Sequence, residues 1–168
     1  MSATDLPDPV EIVDIPIRLA YHYTPGRVQS RFLRALDEGR ILGFRCPSCE
    51  KVYVPARGVC SMCGEPFEPE PVEVAETGTL ATFAIVNVPS SNIDIELPYV
   101  AAEVLLDGAD TTTMFLLRDA ALEDVRMGMR LAVRWKPRDQ WDTTMGNIDC
   151  VVPIDEPDAP YESYKEHV

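Results

Sequence analysis

Residues 45–66 read RCPSCEKVYVPARGVCSMCGEP, and four of the chain's five cysteines stand in this stretch. They form two knuckles, Cys46-x-x-Cys49 and Cys60-x-x-Cys63, with ten residues between them. A Cys-x-x-Cys knuckle carries two thiolates around one turn of backbone so that both reach a single ion. Two knuckles complete the tetrahedral shell that Zn²⁺ accepts. A gap of ten is a little short of the commonest zinc templates but suits a tight two-knuckle ribbon. Gly64 lets the second knuckle bend, while Glu50 holds the matching place in the first. A redox dithiol usually sits at the start of a helix between strands, and paired disulfides need an oxidising compartment. Iron of the rubredoxin type uses the same four ligands, so spacing alone leaves it open. A Cys₄ shell has no vacant coordination position, so the ion serves as scaffold. Structural zinc in small sites supplies about 10–16 kcal/mol of binding energy that is realised only when the ribbon folds.

Upstream, TPGRVQSRFLRALDEGR (24–40) predicts a helix, with Thr24 as cap, Pro25 at the first helical position and Gly39 as a left-handed stop. Val28, Phe32, Leu33 and Leu36 fall on one face, which must bury itself against the chain or a partner. Before it, EIVDIPIRLAYHY (11–23) has strand-forming residues interrupted by Pro16, and reads as an edge strand or extended arm. Downstream the texture turns to strands: GTLATFAIVNV (78–88), LPYVAAEVLLD (97–107), TTTMFLLRD (111–119), RLAVRWK (130–136) and NIDCVVPI (147–154). Five short strands with a break after the third suit a closed barrel of the oligonucleotide/oligosaccharide-binding (OB) type, with a small sandwich as runner-up. Cys150, inside the last strand, reads as a small buried apolar residue. The chain is thus mainly β. An N-terminal extension and helical arm (1–40) precedes a rubredoxin-like Cys₄ zinc ribbon (41–72), a five-stranded OB barrel (73–154) and an acidic tail (155–168). Both ends are rich in acid and proline, which predicts loose docking.

Net charge is −13, with 28 acidic against 15 basic residues, a field that repels a phosphate backbone. Arg27, Arg31 and Arg34 form one basic cluster; Arg134, Lys136 and Arg138 form another. No apolar run approaches the roughly 20 residues of a membrane span. The acidic N-terminus does not resemble a secretory signal, so the expected location is a reducing cytoplasm. The two histidines, His22 and His167, sit at the foot of the helix and at the penultimate position, with no nucleophile patterned beside them. No phosphate loop, serine elbow or histidine–glutamate metal motif is present. The polar loop SSNIDIELPY (90–99) offers a ligand contact. An alternative reading, a single-stranded nucleic-acid module, requires base-stacking aromatics such as Phe83, Tyr99 and Phe115 beside a basic groove.

The succession LDEGRILGFRCPSC, VPARGVCSMCG, ETGTLATFAIVNVP, LPYVAAEVLLDG and VRMGMRLAVRW resembles the family called domain of unknown function 35, from about residue 24 to about residue 153. That resemblance implies a rubredoxin-like ribbon with structural Zn²⁺ on Cys46, Cys49, Cys60 and Cys63, followed by an OB barrel. It also implies a non-catalytic accessory role beside a thiolase-superfamily enzyme. Such partners include acyltransferases, hydroxymethylglutaryl-CoA synthase pathways and lipid-transfer-type enzymes, some of them aldolases on steroid side-chain CoA thioesters. Catalytic residues then belong to the partner. The accessory chain lines the acyl-CoA channel within a hetero-oligomer, a heterotetramer if two copies flank a thiolase dimer, with neither nucleic acid nor membrane involved. Candidate acyl-CoA contacts are Arg45, Lys51 and Arg57 on the ribbon and Arg134, Lys136 and Arg138 on the barrel. Val28, Phe32 and Leu36 are candidate partner-facing residues.

Overall fold

Twelve residues, Gly26–Asp37, form helix α1 in the computed structural model of the chain, which describes residues 13, 15, 17, 19–20, 22–64, 70–90 and 93–168. Pro25 is the N-cap and no side chain caps the first turn, so Thr24 does not take the capping role. The far end follows expectation. Gly39 sits at φ +77°, its N–H bonds Leu36 O at 3.1 Å, and Arg40 N–H bonds Ala35 O at 2.9 Å. This pair of bonds is a Schellman stop, and glycine occupies the left-handed position without a Cβ penalty. The acidic first twelve residues, and with them the start of the expected arm, lie outside the described residues. The described positions between 13 and 23 belong to neither helix nor strand.

The ribbon is a three-stranded antiparallel sheet in the order β2-β1-β3, with β1 Leu42–Arg45, β2 Val52–Tyr53 and β3 Glu70–Glu73. The barrel follows with β4 Thr77–Val86, β5 Tyr99–Leu106, β6 Thr112–Leu117, β7 Arg130–Trp135 and β8 Ile148–Pro153. It closes in the order β4-β5-β6-β8-β7, with β7 pairing back onto β4. Four of the seams are antiparallel, and β6 meets β8 in parallel through the single pair Leu117↔Val151. This is the five-stranded Greek-key barrel of OB folds. Alternation explains it: β5 reads half-buried, buried, half-buried along its length, with Val100, Ala102, Val104 and Leu106 pointing inward.

Ribbon and barrel are joined edge to edge. Val52 N–H donates to Asp110 Oδ2 at 2.8 Å and Asp110 N–H returns to Val52 O at 2.8 Å. Val54 N–H donates to Thr111 Oγ1 at 3.0 Å, and Thr113 Oγ1 donates to Val54 O at 2.8 Å. The β5–β6 connection and the start of β6 are therefore tied to β2 and the residue after it, mostly through side chains. One apolar cluster runs through Phe32 and Leu36 of α1, Ile41, Phe44, Val52 and Val54 of the ribbon, and Leu80, Val104 and Leu131 of the barrel.

That cluster corrects one expectation. Phe32 is 1% exposed and Leu36 0%, and Val28 packs against the same core, so the helix's apolar face is covered by its own chain. A face of this kind buries against whatever is nearest, and the ribbon and barrel arrive first. Asn147, fully buried, ties the helix down further: Nδ2 donates to Leu36 O at 3.3 Å and to Asp142 O at 2.6 Å.

The acidic tail also departs from expectation. Arg126 holds Asp158 through two bonds of 2.6 and 2.8 Å, Arg130 holds Glu156 at 3.0 Å, and Ala159 N–H donates to Gly128 O at 2.8 Å. Tyr164 is buried beside Gly128. The carboxylates that suggested a solvated tail find arginines near the start of β7.

Candidate metal centre

The two knuckles are built alike. Glu50 N–H donates to Cys46 O at 2.9 Å and Gly64 N–H donates to Cys60 O at 2.9 Å. Both closing residues are left-handed, Glu50 at φ +61° and Gly64 at φ +71°. Glycine reaches that region freely; glutamate does so at a cost. Each turn aims both of its sulfurs at the same point.

The four Sγ atoms of Cys46, Cys49, Cys60 and Cys63 lie within 4.8 Å of one another, and Cys49 and Cys60 are 3.5 Å apart. Zinc–sulfur bonds of about 2.3 Å in a tetrahedron place sulfurs about 3.8 Å apart, so this set fits such an ion. All five cysteines are free thiols here. Cys46 and Cys60 are buried while Cys49 and Cys63 are the more accessible pair. No ion is needed to see the selection: four thiolates and no carboxylate or imidazole in the cluster suit Zn²⁺, with iron the chemically equivalent alternative. Once bound by all four, the ion would hold the two knuckles together and leave no position for substrate.

The surroundings differentiate the sulfurs. Cys60 Sγ receives the Tyr53 hydroxyl at 3.1 Å and Cys63 N–H at 3.4 Å. The Tyr53 bond is the main reason that the Cys60 thiol is pulled down to about 6. Cys63 is pushed up to about 12, first by its hydrogen bond to Cys49 and then by that to Cys60, which favour keeping its proton. Tyr53 carries no metal-ligand signal and was not among the expected site residues. Its place between the knuckles in KVYVPARGVC was the only hint.

The candidate acyl-CoA contacts divide between the ribbon and the barrel. Arg45 donates to Glu50 O at 3.3 Å and Arg57 lies over the Tyr53 ring at 5.8 Å, both beside the knuckles. Lys51 and Tyr53 line a cleft of about 210 Å³ together with Met62, Asp110 and His167. On the barrel, Arg134 is bonded to Asp119 and lies 3.9 Å from Asp149, and Arg138 stacks on Trp141 at 4.2 Å while bonding Asp37 O. Lys136 is half-buried, and its carbonyl accepts Trp141 Nε1–H at 2.6 Å. Arg134 and Arg138 are thus engaged in local structure, whereas the Lys136 contact involves its carbonyl and not its ammonium. Of the aromatics required for base stacking, Phe115 belongs to the core and Phe83 packs against it. Cys150 is fully buried, as its strand position predicts. Residues 95–99 at the end of the 93–99 loop wall a second cleft of about 390 Å³ with Leu116, Arg118 and Leu122. No helix among the described residues is long and apolar enough to cross a membrane.

Comparison with known proteins fits this anatomy. Residues 34–70 match the family model described as the ChsH2 rubredoxin-like zinc ribbon domain, and residues 71–136 match the ChsH2 C-terminal OB-fold domain. A DUF35 domain-containing scaffold protein of Methanocaldococcus jannaschii is 33% identical over 92 residues, covering 54% of this chain and 64% of that one. A namesake from Methanothermobacter thermautotrophicus is 27% identical over 77 residues, covering 45% and 58%. The chain therefore spans less than two thirds of the length of both relatives. Among solved structures, one described as the Ltp2-ChsH2(DUF35) aldolase superposes with a TM-score of 0.58 at 24% identity, covering 76% of this chain and 95% of the other. A DUF35-family protein of unknown function from Sulfolobus solfataricus gives 0.53 at 17% identity, covering 74% and 83%. With both family models matched end to end across residues 34–136 and the ribbon and barrel in place, the chain belongs to the zinc-ribbon/OB-fold family DUF35.

Proposed function

We propose that this chain is a non-catalytic accessory subunit that binds and completes a thiolase-like acyl-CoA enzyme, either an acyltransferase or a lipid-transfer-type aldolase. Acyl-CoA thioesters are the substrate class, those of steroid side chains among them, and the complex works in a reducing cytoplasm. One observation carries the reading. Among the described residues, four cysteine sulfurs lie within 4.8 Å of one another, a set that can hold a structural ion with no coordination position left for substrate. In this reading the scaffold is structural and the partner subunit supplies the chemistry. The solved relative described as an Ltp2-ChsH2(DUF35) aldolase and the scaffold-protein names of the archaeal relatives support the same assignment.

In this reading, the metal fixes the ribbon, and the ribbon's bonds to the β5–β6 turn make ribbon and barrel one rigid platform. Arg45, Lys51 and Arg57 of the ribbon are the cations offered to an anionic CoA at the subunit interface, Lys51 lining the cleft beside Tyr53 and Arg57 lying over the Tyr53 ring. Arg134 and Arg138 already hold carboxylate, carbonyl and indole partners and contribute less, while Lys136 stays a candidate contact on the barrel. Phe32 and Leu36 lie in the core, so the partner must meet other surfaces.

The test is a tagged pull-down from the source lysate read by native mass spectrometry. A thiolase-superfamily subunit in equal stoichiometry, whose turnover of an acyl-CoA depends on this chain, is the expected result. A chain that elutes alone, or with partners unrelated to acyl-CoA chemistry, defeats the proposal.

A further inference from the structure

Tyr53 occupies β2 midway between the two knuckles and is 1% exposed. Its hydroxyl lies 3.1 Å from Cys60 Sγ and 3.2 Å from Ser61 Oγ. A metal-bound thiolate has no proton to give, so in the loaded site the tyrosine must be the donor to Cys60. The serine hydroxyl must then donate to the tyrosine oxygen. The relay runs one way, from Ser61 through Tyr53 to the sulfur, and each bond polarises the next.

Electrostatics gives that relay a task. Four thiolates around a divalent ion leave a net double negative charge, here in a chain that is already at −13. Cys46 and Cys60 are the buried half of the cluster, where solvent screens least. Hydrogen bonds to sulfur are the means left for spreading that charge. Cys60 Sγ has both the phenol and Cys63 N–H, and the Arg57 guanidinium sits over the phenol ring at 5.8 Å. Donors one shell out from a metal orient its ligands and tune its affinity.

We propose that Tyr53 is a positioning residue of the metal centre: its hydroxyl, backed by Ser61, donates to the Cys60 thiolate and sets how tightly the ribbon holds its ion. The inference rests on the Cys₄ metal site and is independent of any partner. A ring that merely fills space would be replaced by phenylalanine without consequence.

Tyr53→Phe in the full chain separates the two. Competition against a chromophoric chelator should show a 10–100-fold loss of Zn²⁺ affinity, the usual range for loss of an outer-shell bond. The sulfur-to-cobalt charge-transfer band of the Co²⁺-loaded protein should shift. Ser61→Ala should weaken binding in the same direction by a smaller factor. Unchanged affinity and an unchanged band in Tyr53→Phe would overturn the proposal. Should that variant not fold, the native chain loaded with ¹¹³Cd answers directly. A scalar coupling between cadmium and a tyrosine hydroxyl proton in slow exchange supports the bond, and its absence overturns it.

Discussion

Leu36→Ala is the substitution that weighs the helix's two candidate roles against each other. Leu36 is 0% exposed and shares a continuous core with Phe32, Phe44 and the barrel's Leu131. Truncating a leucine so placed removes its transfer free energy and leaves a cavity, because ribbon strands and barrel strands that are bonded to one another cannot close in. We expect a loss of about 3 kcal/mol. For a chain of this length, at roughly 2–4 °C per kcal/mol, Tm falls by about 6–12 °C. With an m-value of about 2 kcal/mol/M, the urea midpoint drops by about 1.5 M. The assay is urea unfolding of the isolated, zinc-saturated chain, followed by circular dichroism beside Arg34→Ala, an exposed position on the same helix. The arginine variant should stay within about 0.5 kcal/mol of the parent. A Leu36→Ala loss equally small, with weakening seen only in assembly with a partner, would refute the core assignment and return this face to the interface.

Other outcomes are equally definite. Asp107 is held below the usual carboxylate range, first by its bonds to Arg130 at 2.6 and 2.8 Å. A depressed carboxyl stabilises the fold above its unfolded pKa of about 3.9, and that contribution fades as pH falls through the lower folded value. Arg130→Gln should therefore cost about 1 kcal/mol at neutral pH, the half-exposed carboxylate limiting the effect. The gap to the parent should narrow below about pH 4; a gap that is flat from pH 7 to pH 3 contradicts the pairing. Glu50→Gly should raise Tm by about 1–3 °C in the metal-loaded chain. Relief of about 1–2 kcal/mol at a left-handed residue exceeds the roughly 0.5–1 kcal/mol of added unfolded-state entropy, and a lowered Tm would show the strain account to be wrong. Native mass spectrometry should find one Zn²⁺ per chain, and chelation should lower the unfolding temperature of the barrel as well as of the ribbon, since one core serves both. A mass deficit equal to two disulfide bonds would eliminate the metal.

Much of this was legible in the sequence, for identifiable reasons. The five barrel strands appear within two or three residues of their expected limits because period-two alternation and β-branched content both mark them. The cysteine site follows from spacing, which a knuckle converts directly into geometry. Strand β3 carries no such mark: Glu70, Pro71 and Glu73 lack an alternating apolar pattern, and pairing with β1 makes them a strand. The helix's periodicity announced an apolar face but not what covers it, since that depends on a core shared with residues such as Val104 and Leu131, remote in sequence. The tail misled because composition reports charge and not its counterpart. Asp158 meets Arg126 across 32 positions and Glu156 meets Arg130 across 26. Tyr53 escaped notice because a buried hydroxyl becomes meaningful only when the sulfur beside it is seen.

The parallel contact between β6 and β8 has a bearing on how the barrel breathes. Every other seam is a ladder, and this one consists of Leu117 opposite Val151, extended only by Arg118 N–H to Val151 O at 3.0 Å. Opening a closed sheet begins where the fewest bonds must part, so amides flanking this slit should exchange with solvent through partial rather than global unfolding. Leu116, Leu117 and Arg118 on one lip of the slit also form a wall of the cleft under the 93–99 loop. Anything seated in that cleft would act as a clasp, raising the protection of residues 117, 118 and 151 without touching the hydrogen bonds themselves.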